Sequence, residues 1–255
     1  MLFGENLLFV HVPKTAGTAI TQFLIDNLRG PVTLTQPSKL AEASVRLPAL
    51  VRAKLKLQGI MLRLGVLYPR HVTVVEGKRH ERLGEARATL ARLGRRLEDF
   101  RTILAVVRNP YDLEVSRYHF HRLGYHGVRG LAHGRDQKLA MEQDFEQFAI
   151  RTRYAGRNPA HIEDWYEIDG RRPENLRIMR FENLENDLQD ALRDLGPVVV
   201  RLPRVNATEH GPYTSYLTAR AEDAIFRKYR WLFDRGFYAR ESIGTGRSGA
   251  SHDAS

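Results

Sequence analysis

Short apolar runs separated by turn residues recur along the chain, and their lengths predict strands alternating with helices. Leu7 to Val10, followed by Val12, form a buried-strand pattern that Pro13 ends. After the compact turn Lys14-Thr15-Ala16-Gly17-Thr18, residues Ile20, Phe23, Leu24 and Leu28 recur at helical spacing. Val72 to Val75 predict a second strand, and Ile103 to Val107 a third, uniformly apolar as expected inside a parallel sheet. Leu176 to Met179 and Val198 to Leu202 predict two more. Asn183 opens a helix with Leu184, Leu188, Leu192 and Leu195 aligned, stopped by Gly196-Pro197. A last helix from Ala221 to Leu232 carries Ile225, Tyr229 and Leu232 on one face. Strand–helix alternation of this kind predicts an α/β fold whose parallel sheet is covered on both faces.

Two of the predicted strands end in residues suited to anions. The turn after the first strand points backbone N–H groups and a helix N-terminus at whatever lies above it. Gly17 permits close backbone approach, Lys14 adds a point charge, and the Thr15 and Thr18 hydroxyls are candidate donors to phosphate oxygens. The turn is not a Walker A loop, because the lysine precedes the glycine. The Ile103–Val107 strand ends in Arg108, at the end where open α/β sheets bind ligands. Asn109-Pro110 turn the chain and Asp112 is placed to cap the next helix, one or two turns into which Ser116 can converge with Arg108 on a second phosphate. A magnesium-nucleotide enzyme commonly carries an aspartate at such a strand end, whereas arginine suits direct pairing with a metal-free anion.

Val12 to Thr18 together with Val-Arg-Asn-Pro-Tyr-Asp at 107–112 and the Ser116-Arg117-Tyr118 that follows resemble the paired cofactor signatures of sulfotransferases. The nearer likeness is to the carbohydrate-type branch, which includes heparan sulfate 2-O-sulfotransferases and bacterial relatives. It extends through Val75 to His80, Arg180 to Leu184 and the Tyr229–Tyr238 region. The resemblance implies a single P-loop-like domain over residues 1–240, with a central parallel sheet flanked by helices. It also implies 3′-phosphoadenosine-5′-phosphosulfate (PAPS) as co-substrate, without a metal. Lys14, Thr15, Ala16, Gly17, Thr18, Ala19, Arg108 and Ser116 would bind it. Relatives often place serine at the position of Ala19 and a basic residue at that of Leu113, so Ala19 offers a backbone N–H in place of a side chain.

Composition narrows the partners. The 255 residues carry 40 Lys and Arg against 30 Asp and Glu, and no cysteine, which excludes disulfides, thiolate metal sites and a cysteine nucleophile. No apolar run reaches the roughly 18 residues of a membrane span. The expectation is a soluble, cytoplasmic, bacterial enzyme without a signal peptide. Residues 39–101 hold fifteen bases and six acids. Within them 39–70 reads as a basic helical insertion broken at Pro48 and Gly59, and Gly- and Ser-rich residues 241–255 read as a disordered tail. The basic stretch is either a solvated face or a surface for an anionic partner, namely an acidic or sulfated glycan or a lipid headgroup at a membrane surface. No zinc-finger spacing or RNA-binding aromatic motif argues for nucleic acid.

Sulfuryl transfer to a hydroxyl needs in-line positioning, charge stabilisation at the leaving phosphate and a base for the acceptor proton. Lys14 is assigned to the charge and His80, just past the second strand, to the base, with Glu76 as its rival. Two other classes stay open: a nucleotide phosphotransferase (kinase) sharing the phosphate loop, and a non-catalytic polyanion-binding protein.

Overall fold

The computed structural model describes residues 1–36, 68–123, 134–154, 161–196, 199–203 and 210–241. Most of the basic insertion, with Pro48 and Gly59, and all of the tail after Glu241 lie outside the described residues.

Six strands, β1 (Leu2–Phe3), β2 (Leu7–Phe9), β3 (Val32–Gln36), β4 (Val72–Glu76), β5 (Thr102–Val107) and β6 (Leu176–Arg180), form one sheet in the order β4-β3-β1-β2-β5-β6. The α/β class and the helix-flanked sheet are as expected, but the sheet is mixed rather than parallel throughout. β1 folds back on β2 as a tight hairpin, with Leu2 opposite Phe9, and also runs antiparallel to β3. A two-residue apolar pair is too short to show a period, which is why β1 is invisible in the sequence. β2, β5 and β6 run parallel to one another, as do β3 and β4.

Helices α1 (Gly17–Asn27), α2 (Leu83–Arg92), α3 (Pro110–Arg122), α4 (Arg135–Glu142), α5 (Phe145–Arg151), α6 (Leu184–Leu192), α7 (Ala219–Lys228) and α8 (Arg230–Asp234) cover both faces. Period-two alternation in β5 shows this directly. Leu104 and Val106 pack with Ile20, Phe23 and Leu24 of α1 and Leu188 of α6. Ile103, Ala105 and Val107 pack on the opposite face with α2, α3 and α7.

Two predicted elements differ. Residues 199–203 form no strand: the Val200 and Leu202 N–H groups donate to Gln189 Oε1 and Glu185 Oε1 of α6, and Val199 is exposed. Side chains of the preceding helix thus satisfy the donors that a sheet neighbour would have taken. The last predicted helix is two, α7 and α8, divided at Tyr229, whose N–H still bonds the Ile225 carbonyl. Ile225, Tyr229 and Leu232 are nevertheless buried together.

Candidate active site

Parallel pairing of β2 with β5 sets their C-terminal ends side by side, so the 13–19 turn and Arg108 share one edge of the sheet. In the turn Lys14 and Ala16 have φ of 64° and 60°. Left-handed backbone in residues that carry a Cβ costs on the order of 1–3 kcal/mol each and persists only where surroundings enforce it. Ala16 is the N-cap of α1 and supplies no side-chain cap. The first helical bond runs from Ile20 N–H to Ala16 carbonyl, so the N–H groups of Gly17, Thr18 and Ala19 precede it. That arrangement suits an anion.

Two assignments within the turn change. The buried Thr15 hydroxyl donates to the Val12 carbonyl at 3.0 Å, so it braces the loop instead of facing a phosphate; Thr18 is exposed. Gly17 is required by the His11 ring, because a Cβ there would lie 1.9 Å from His11 Cδ2. Gly17→Ala is therefore expected to displace His11 or the loop and to weaken adenosine 3′,5′-bisphosphate binding at least tenfold, measured by calorimetry. Wild-type affinity would show that His11 yields without moving the loop.

Asp112 does not cap α3; the Asn109 side chain does, accepting from Tyr111 N–H at 2.9 Å. Asp112 instead holds Arg108, whose Nε and Nη2 reach Asp112 Oδ2 at 2.8 and 2.7 Å. Arg108 Nη1 donates to the Lys14 carbonyl at 2.8 Å, and the guanidinium lies 4.2 Å from the Phe181 ring centroid. A guanidinium has five N–H donors, and these bonds do not exhaust them. The Lys14 ammonium rests 4.3 Å from the Phe120 ring centroid, and Phe120 is half-exposed. Asp112, Ser116 and Phe120 follow one another at four-residue spacing on α3, so they line one stripe. Lys14, Arg108 and the buried Ser116 are thereby gathered at one place. Burial and the neighbouring Arg108 charge lower the Lys14 ammonium to about 8.

His80 arrives from the far side of the sheet. After β4 the chain turns at Gly77, whose N–H bonds the Gln36 carbonyl, and returns so that His80 Nδ1 lies 3.0 Å from the His11 carbonyl. A carbonyl only accepts, so His80 Nδ1 carries the hydrogen in this bond. The His80 ring meets that of His11 edge to face at 4.5 Å. Burial, and then His80, hold the His11 ring well below the usual histidine range. Glu76 stays at the end of the edge strand β4 and is exposed.

Several site neighbours were given no role by the sequence: Phe181 under Arg108, Phe120 under Lys14, Glu182 accepting from Asn109 N–H at 2.7 Å, and Tyr154 donating to the Pro13 carbonyl at 3.1 Å. His121 is another. Its buried Nδ1 has no partner among the described residues, and burial together with Arg117 lowers it to about 4.

A strand-loop-helix turn beside an arginine at the neighbouring strand's end is an arrangement suited to an anion on an α/β fold. Residues 95–196, which span β5, Arg108, Ser116 and β6, match the sulfotransferase domain family. That match indicates a PAPS-dependent sulfotransferase. No curated protein and no solved structure matches it. Among the described residues no helix is long and apolar enough to cross a membrane.

Proposed function

We propose that this protein is a sulfotransferase acting on a hydroxyl of a carbohydrate or glycolipid-type acceptor, with Lys14, Ala16 to Ala19, Arg108 and Ser116 holding the donor, Thr15 bracing their loop, and Lys14 and His80 assisting transfer. One observation carries the site reading. Burial, and then the nearby Arg108 charge, disfavour the Lys14 ammonium, and among the described residues it has an aromatic face but no carboxylate beside it. A cation pair of this kind is complete when an anion joins it. The donor supplies phosphate oxygens of that charge and the sulfuryl group. The N–H groups at the start of α1 orient the 5′ end, and Arg108 with Ser116 the 3′ end. Lys14 offers charge that counts most as the leaving phosphate becomes more negative. His80 Nε2 takes the acceptor proton.

The acceptor class rests on composition and on the resemblance. Of the basic stretch, the described bases Lys78, Arg82, Arg95, Arg96 and Arg101 are in ion pairs, with Glu85, Asp164, Asp99 and Asp194 as partners. An anionic acceptor would therefore be drawn chiefly by the bases of residues 39–70 and by Arg79, Arg87 and Arg92. The domain extent of 1–240 and a cytoplasmic location belong to the same proposal.

Arg108→Ala tests the site assignment. Binding of adenosine 3′,5′-bisphosphate, measured without added metal, should weaken by on the order of 1.5–3 kcal/mol, the value of a charge-assisted contact. Adenosine 5′-phosphosulfate, which lacks the 3′-phosphate, should lose much less. Equal losses would move Arg108 away from the 3′ end.

A further inference from the structure

The donor loop is strained at Lys14 and Ala16, and two successive carbonyls within it are held by side chains from elsewhere in the fold. Arg108 donates to the Lys14 carbonyl at 2.8 Å, as expected of a motif residue. The other donor is Tyr154, whose hydroxyl reaches the Pro13 carbonyl at 3.1 Å. Tyr154 lies just beyond α5, in none of the motifs legible in the sequence, and is 1% exposed.

What fixes Tyr154 is a buried ionic cluster on the sheet face opposite α1. Arg117 of α3 lies 5.6 Å from the Tyr154 ring centroid, and its Nη2 donates to the carbonyl of Arg153, the preceding residue, at 2.8 Å. Arg117 Nη1 pairs with Glu114 at 2.7 Å. The same Glu114 carboxylate accepts from Lys228 at 2.6 Å, from the Tyr229 hydroxyl at 2.5 Å and from Thr152 at 3.1 Å. Burial alone would push Glu114 up, but Arg117 and Lys228 hold its carboxyl well below the usual range, so it stays charged. Tyr229 meets the Tyr154 ring edge-on at 5.5 Å. Buried ion clusters add little stability over apolar residues of equal volume, whereas a fully hydrogen-bonded one holds its members in a single arrangement.

We propose that Tyr154 is a positioning residue for sulfuryl transfer: anchored by the Glu114–Arg117 cluster, its hydroxyl holds the Pro13 carbonyl and so sets where Lys14 stands. The kinetic consequences rest on the donor-site reading above; the loop contact does not. The charged or titratable groups facing Lys14 are Arg108, from the end of β5, and His121, from α3. Since His121 is neutral above about 4, an alkaline limb of kcat/KM reports Lys14.

The test compares the full chain with Tyr154→Phe and Tyr229→Phe, each of which removes one hydroxyl from the same region. Tyr154→Phe should raise amide hydrogen exchange in residues 14–17 about tenfold over that in β5. It should lower kcat/KM for PAPS about tenfold, mainly through kcat, and move the alkaline limb upward as the ammonium gains solvent. Tyr229→Phe, whose hydroxyl touches only the cluster, should lower the thermal midpoint and leave loop exchange and the limb unchanged. Unchanged loop exchange in Tyr154→Phe overturns the inference, as do identical changes, or loss of folding, in both variants. Failure of the wild-type chain to bind adenosine 3′,5′-bisphosphate would sink the donor-site reading instead, with the exchange comparison still deciding the role of Tyr154.

Discussion

Lys14→Ala is expected to fold normally and to lose turnover by about 100- to 1,000-fold, the usual effect of removing one preorganised charge donor from a transition state. Donor binding should fall less than kcat, because the ammonium interacts most strongly with charge that develops during transfer. The pH profile supplies an independent check. Burial, and then the Arg108 charge, lower the Lys14 ammonium to about 8, and the protonated form is the one that stabilises negative charge. Activity measured as kcat/KM for PAPS, which reports the free enzyme, should therefore be full below about 8 and decline as pH rises through that value. Lys14→Arg should remove this decline, since guanidinium does not titrate in that range, while keeping part of the rate. A Lys14→Ala enzyme with near-normal turnover, or an unchanged alkaline limb in Lys14→Arg, would reassign the charge to another residue.

His80→Ala should bind adenosine 3′,5′-bisphosphate as the wild type does and lose roughly 100-fold or more in kcat, the usual contribution of a positioned base. The bond from His80 Nδ1 to the His11 carbonyl fixes the ring two residues before the donor loop. Glu76→Gln, at the edge of the sheet, should leave kcat within a few-fold of wild type. The reverse result, with Glu76→Gln inactive and His80→Ala active, would exchange their roles.

The local elements were largely legible because their signals are short-range. Leu7–Val10, Ile103–Val107 and Leu176–Met179 are apolar runs bounded by turn residues, and they are strands in the structure to within about two residues at either end, the usual disagreement between boundary assignments. The helix opening after Asn183 shows its period in Leu184, Leu188 and Leu192. β3 has no apolar run in the sequence because Thr33, Thr35 and Gln36 are polar, and Thr35 and Gln36 are buried all the same, the Thr35 hydroxyl donating to the Met1 carbonyl. Val198–Leu202 was overcalled for the opposite reason: its apolar residues satisfy a strand pattern, but α6 side chains take its backbone donors.

The candidate site divides in the same way. Lys14, Gly17, Arg108 and Ser116 could be named from the sequence because strand-end chemistry is encoded within a few residues. Their bonding could not. Asp112, read as a cap, pairs with Arg108 because Asn109 reaches the helix N-terminus first. Thr15, read as a phosphate donor, closes onto Val12 because the left-handed turn brings that carbonyl within reach. His11, given no role by the sequence, has a ring that demands Gly17 and a carbonyl that accepts from His80 Nδ1.

By itself the sequence determined the alternation of strands and helices, the anion-suited chemistry at two strand ends and the family resemblance, all of which depend on residues close together in the chain. Only the tertiary structure decided that β1 reverses the sheet, that His80 Nδ1 meets the His11 carbonyl, and that Tyr154 reaches Pro13 across 141 positions. Those contacts come from strand order and helix packing, which depend on how the whole apolar core closes, and no local pattern encodes that.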